Sequence, residues 1–191
     1  GAGGWDATKV KMTQVDSYGS MDVFVNKNAQ DKFVTVENTG KSAAYVRTLV
    51  ALEFGNGNSD LLGISSHKAW ISNYIGEVEI DNNNHYDLFE FIYAGTDDVH
   101  KDGILPTGQT TYPSLSQVYL GADATNEDVE LLDGNKNGTF DILVVSQAVQ
   151  VEGFESAEKA LDAAFGDITT TNHPWIGGNV KIPTVTSVST A

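Results

Sequence analysis

The residues best placed to do chemistry are Asp133, Asn135, Asn137, Gly138 and Asp141, in the stretch DGNKNGTFD at 133–141. Oxygen-bearing side chains at alternate positions, with a glycine at the sixth, match the first nine positions of a D-x-N-x-N-G loop that wraps a calcium ion. The bidentate glutamate that such loops carry at the twelfth position is here Val144. Asn137-Gly138 between two strand-like runs is also the strongest short-range hairpin cue. The sequence therefore favours a plain hairpin and no cofactor, with calcium at 133–141 as the alternative. Asn137-Gly138-Thr139 is the only glycosylation sequon, which matters only in a host with that pathway.

The four histidines are His67, His85, His100 and His173. A zinc peptidase needs two of them one helical turn apart with a glutamate base, as in H-E-x-x-H, and none stands in that pattern. His85 has Asp81, Asp87 and Glu90 nearby, but on a turn and a strand these read as ordinary surface groups. Each histidine alone reads as solvated or hydrogen-bonded structure. No G-x-S-x-G nucleophile elbow is present, and GNGN at 55–58 runs into Ser-Asp rather than a lysine-bearing helix start. There is no cysteine, which removes disulfides, thiolate catalysis and thiolate zinc sites. The expectation is a protein that is not an enzyme.

The elements that must position these residues belong to one 191-residue domain, 40% hydrophobic, with a net charge of −15 and a pI near 4.3. Such a surface repels nucleic acid and anionic membranes, so neither is expected as a partner, although it would attract divalent cations. No apolar run reaches the length of a membrane span and no signal peptide is visible. The chain starts at Gly1. The simplest expectation is a mature, exported chain whose leader has been removed.

Strand signals dominate. Lys9–Val15 and Met21–Val25 alternate around a turn at Ser17–Ser20, and Phe33–Glu37 leads into Asn38-Thr39-Gly40. Tyr45–Phe54 carries Val46, Val50, Leu52 and Phe54 on one face and Tyr45, Leu49 and Ala51 on the other. Apolar residues on both faces predict a central strand covered on both sides. A loop follows at Gly55–Asp60, and 61–75 reads as either a short helix or an irregular connection. Glu77–Ile80 and Leu88–Tyr93 read as paired strands around 81–84. Leu115–Leu120, Val129–Leu132 and Phe140–Val151 are further strand signals. Ser156–Phe165 is helical, capped by Ser156 and ended by Gly166, with Phe154, Ala157, Ala160, Leu161, Ala164 and Phe165 on one side. Asp167–Gly178 is a loop, and Lys181–Ala191 an extended tail. This pattern predicts an all-β fold, a jelly-roll-like antiparallel β-sandwich with one or two short helices.

Two stretches carry a resemblance. VTVENTGKSAAYVRTLVALEFG, from Val34 to Gly55, and AVQVEGFESAEKALDAAFG, from Ala148 to Gly166, resemble the TasA/camelysin family of exported proteins processed by a SipW-type signal peptidase. The first matches its strand, Asn-Thr-Gly-type turn and YVR-like strand. The second matches its AVQ-x-x-GF-x-(S/T)-x-x-x-A-x-x-x-F ending. Together they cover roughly a fifth of the chain, and the tail after Gly166 is longer than the family's usual one. The resemblance implies a jelly roll, export to the cell surface and assembly into biofilm-matrix fibres, in which one subunit's N-terminal segment completes the sheet of the next. The camelysin branch is described as a metallopeptidase.

A fibre subunit needs a stable sandwich and a way to join copies. An incomplete sheet leaves edge N–H and C=O groups unpaired, and a neighbour's strand satisfies them at roughly 0.5–1.5 kcal/mol per hydrogen bond. The expected donor is Gly1–Thr8: Gly1, Ala2, Gly3, Gly4, Trp5, Asp6, Ala7 and Thr8. Its small residues allow close backbone approach, and Trp5 is an anchor worth about 3 kcal/mol or more when buried. The rival donor is 181–191, whose Val185 and Val188 equally suit a last strand of its own subunit. The expected function is a secreted, extracellular structural subunit polymerising head to tail with copies of itself, with other matrix components as possible partners. The alternatives are a camelysin-like metallopeptidase and a jelly-roll carbohydrate-binding module presenting Trp70, Trp175 and Tyr74.

Overall fold

The computed structural model describes residues 10–15, 29–31, 33–81, 83–121, 124–138, 141–177 and 185–187. The expected strand at 21–25, the turn at 17–20, the arm at 1–8 and most of the tail at 181–191 lie outside them.

The strands are β1 (Val10–Val15), β2 (Ala29–Asp31), β3 (Phe33–Asn38), β4 (Ala44–Glu53), β5 (Leu62–Ser65), β6 (Trp70–Ile80), β7 (Asn84–Tyr93), β8 (Gln117–Leu120), β9 (Ile142–Gln150) and β10 (Val185–Ser187). Two helices interrupt them, α1 (Asn126–Leu132) and α2 (Ala157–Phe165). The fold is all-β and sandwich-like. One layer is a five-stranded sheet in the order β10-β9-β4-β7-β6, antiparallel except that β10 runs parallel to β9. The other layer joins β1-β3 and β2-β8-β5. Backbone hydrogen bonds stitch these two together: Ser114 N–H donates to Val34 O (2.8 Å), Thr111 N–H to Val36 O (2.8 Å) and Ser116 N–H to Ser65 O (2.8 Å).

All ten residues of β4 are buried. Val46, Val50 and Leu52 face the other layer, with Val34, Val36, Phe91, Tyr93, Leu115 and Val144. Leu49 and Ala51 pack on Leu88, Val145 and Trp175, while Tyr45 packs on Ile92, Val149 and the α2 residues Ala160 and Leu161. The strand is covered on both faces, as its two apolar stripes predict. The polar knot before it is structural. Asn38 is fully buried; its Oδ1 accepts from Gly40 N–H (2.9 Å), and its Nδ2 donates to Ser42 O (2.8 Å) and Leu105 O (2.9 Å). An asparagine there closes the turn on itself and ties it to a distant segment, which aspartate could not do because it lacks the N–H donors.

Three local expectations change. Val129–Leu132 is the last part of α1, because Thr125 and Asp128 form a capping box that starts a helix three residues earlier. Asn137-Gly138 therefore joins a helix to β9 rather than two strands. Residues 61–75 are strand-forming, supplying β5 and the start of β6, where the long register with β7 overrides weak local alternation. The α2 helix forms where expected: Ser156 Oγ accepts from Lys159 N–H (3.3 Å), and Gly166 ends it at φ 84°.

Candidate functional site

Two charged side chains interrupt the apolar run of β4, Arg47 and Glu53. Both point to the face away from the second layer, and both are fully buried. A buried charge must be paired or neutralised, so each builds a polar centre around itself.

Arg47 is paired. Its Nε donates to Gln147 Oε1 (2.7 Å), Nη1 to Glu90 Oε2 (3.2 Å) and Asp162 Oδ1 (2.9 Å), and Nη2 to Gly166 O (2.9 Å). The guanidinium carbon lies 5.9 Å above the Phe165 ring. The neighbouring strands β7 and β9 supply Glu90 and Gln147, and α2 supplies the rest. Burial pulls the Arg47 pKa down while the two carboxylates push it back up. Burial likewise pushes Glu90 and Asp162 up, against the pull of Arg47. The cation also meets the carbonyl that closes α2, where positive charge is favoured. The two sequence stretches quoted above thus meet at one side chain, and their joint product is a clamp that fixes a helix on a sheet.

Glu53 is paired with no cation among the described residues. Its Oε1 accepts from Asp141 N–H (3.0 Å), and Oε2 accepts from Asn84 Nδ2. Burial pushes its carboxyl above the ordinary 4.5; the two hydrogen bonds pull it back, and Asp141 and Asp133 add a further upward push. The loop at 133–138 sits directly on this end of the sheet. Gly55, at φ 58°, lets the backbones touch: a Cβ there would lie 2.4 Å from Leu131 O and 2.7 Å from Gly134 N. Within the loop, Asp133 Oδ1 and Oδ2 accept from Asn137 N–H (3.3 Å) and Gly138 N–H (2.9 Å). The Nδ2 groups of Asn135 (3.0 Å) and Asn137 (2.8 Å) both donate to Asp141 Oδ2. The residues of the calcium-type pattern are therefore brought together, Thr139 and Phe140 lying outside the described residues.

The histidines are scattered. His67 stacks on Tyr112 (4.3 Å) and its Nδ1 accepts from Ala69 N–H. His85 bonds Gly55 O and Glu79, His100 bonds Tyr93 and Gln109, and His173 Nδ1 accepts from Trp175 N–H (3.2 Å). Among the described residues no group of three or more His, Asp or Glu side chains is arranged to hold a metal ion. Of the three aromatics suggested for carbohydrate, Trp70 and Trp175 are buried and only Tyr74 is exposed. Residues Gly1–Thr8 lie outside the described residues. Sequence reasoning missed Arg47 and Glu53 as centres, although a charge inside an apolar run was the visible signal.

His173 gives a pH signature. Burial holds its pKa below the ordinary 6.5, and burial followed by Lys68 does the same to His67. The folded ring stays neutral while the unfolded chain takes up a proton, so stability falls as pH drops through about 6.5 and below. The buried carboxylates work in the opposite sense nearer their own range, which makes a difference measurement necessary. The expected result is a smaller loss of Tm between about pH 7.5 and about pH 5.5 in His173→Asn than in the parent.

Comparison with protein-family models, curated proteins and solved structures returns no match.

Proposed function

We propose that the chain is a secreted structural subunit, a jelly roll that polymerises head to tail by donor-strand complementation into extracellular, matrix-type filaments. The observation that carries this reading is the asymmetry of the five-stranded sheet. One border ends in β10, three residues long, and the other in β6, whose outer edge pairs with no described strand. That edge is eleven residues long and exposes Ile71 and Tyr74. Long apolar edges invite a further strand. A cavity of about 750 Å³ opens beside it, lined among others by Tyr45, Ile71, Ile92, Asp97, Asp102 and Glu158. It has room for a large side chain such as Trp5. Pairing of Val185–Ser187 with its own β9 favours Gly1–Thr8 over the tail as donor. The contact joins different surfaces, so repetition gives an open filament.

The test is negative-stain microscopy of the parent and of a chain lacking residues 1–8. Filaments from the parent and only folded monomers from the truncation are expected. Filaments from both would remove the arm from its role, and none from the parent would defeat the reading. Ile71→Lys, which puts a charge on the accepting edge, should block assembly with Tm unchanged.

A further inference from the structure

We propose that the side chains of Asp133, Asn135, Asn137 and Asp141, beside the buried end of β4, form a calcium site. The sequence pattern alone favours a plain hairpin, with the cation as the alternative. Two observations outside the pattern now favour the cation. The first is Asn84, which is 3% exposed. Its Oδ1 has no hydrogen-bond partner among the described residues, and it is turned onto the loop at Gly134, 1.9 Å from where a Cβ would stand. The second is Glu53, a fully buried carboxylate whose charged neighbours are Asp141 and Asp133. Its bonded partners are Asn84 and the Asp141 backbone. An acceptor without a donor and a buried carboxylate without a cation beside it, both judged among the described residues and in the same place, are what a missing cation leaves behind.

The donor set suits a hard ion. Asp133, Asn135, Asn137 and Asp141 offer carboxylate and amide oxygens and no nitrogen or sulfur ligand, which is calcium's preference. The asparagine Nδ2 groups that now donate to Asp141 Oδ2 would rotate on ion binding, turning their Oδ1 atoms inward in place of Nδ2. Glu53 reaches the loop from the neighbouring strand through Asp141 N–H. With few charged ligands the affinity falls in the weak, extracellular range, about 10⁻⁴–10⁻³ M.

The experiment is calorimetric titration of the EDTA-treated chain with calcium chloride, with magnesium chloride as the control, alongside thermal melts. Calcium is expected to bind and to raise Tm, magnesium to do neither, and Asp133→Ala to lose both effects. Asn137→Asp, which adds a ligand charge, should tighten calcium binding several-fold. No heat and no Tm shift in the parent at about 5 mM calcium would overturn the proposal. A Tm shift that persists in Asp133→Ala, or that magnesium reproduces, would also overturn it, as general screening of an acidic surface. Unchanged or weaker binding by Asn137→Asp would count against it in the same way.

Discussion

Replacing Arg47 by alanine is expected to destabilise the fold by about 3–5 kcal/mol, because it leaves carboxylates buried without their cation. The guanidinium is 0% exposed and makes four hydrogen bonds to Gln147, Glu90, Asp162 and Gly166. Removing it orphans Glu90 and Asp162 and frees the carbonyl that ends α2. Arg47→Lys should recover little, since one ammonium cannot reach four acceptors held in a fork. Arg47→Met with Glu90→Leu should recover much more than Arg47→Met alone, because only Asp162, the more exposed of the two carboxylates, is then left without its cation. Urea denaturation of the parent and these four variants checks this. A loss below about 1 kcal/mol for Arg47→Ala would mean that Glu90 and Asp162 are already neutral in the parent.

Trp175→Ala is the second large effect, at about 3–5 kcal/mol. Trp175 is 1% exposed and packs in one cluster with Leu49, Ala51, Val78, Ile80, Tyr86, Leu88 and Val145. It arrives on a segment without regular secondary structure, which otherwise adds only the partly buried Ile168 to that cluster. Guanidinium or urea melts give the loss, and Trp175→Phe should return about half of it by restoring part of the buried area. If Trp175→Ala melts like the parent, the segment 168–177 is not part of the sheet's cover.

β4, β9 and the facing parts of β6 and β7 (77–80 and 88–93) were legible because their apolar residues alternate or run continuously, whereas the polar first half of β6 was not. β4 was read within a residue at each end, and α2 was legible from Ser156 and Gly166. α1 was misread because Val129-Glu130-Leu131-Leu132 is apolar enough to mimic a strand, and the deciding signal lies upstream at Thr125 and Asp128. Trp175 was read as a loop residue because burial of a loop anchor depends on what it folds back onto. The same limit hid the two polar centres. Glu53 and Asn84 are 31 residues apart, and Arg47 and Gln147 are 100 apart, so no local window contains either pair.

That separation bears on how the molecule comes into being. β4 takes one neighbour from β7 and the other from β9, and contacts such as Thr48 with Ser146 span 98 residues. Closing so wide a loop is slow, because chain entropy is lost before any pairing rewards it. A nascent chain that has emerged only as far as β7 holds its greasiest strand with one edge bare and no helix to roof it. Native structure must wait for residue 150. Throughout that interval the half-made sheet is a substrate for chaperones and for aggregation alike.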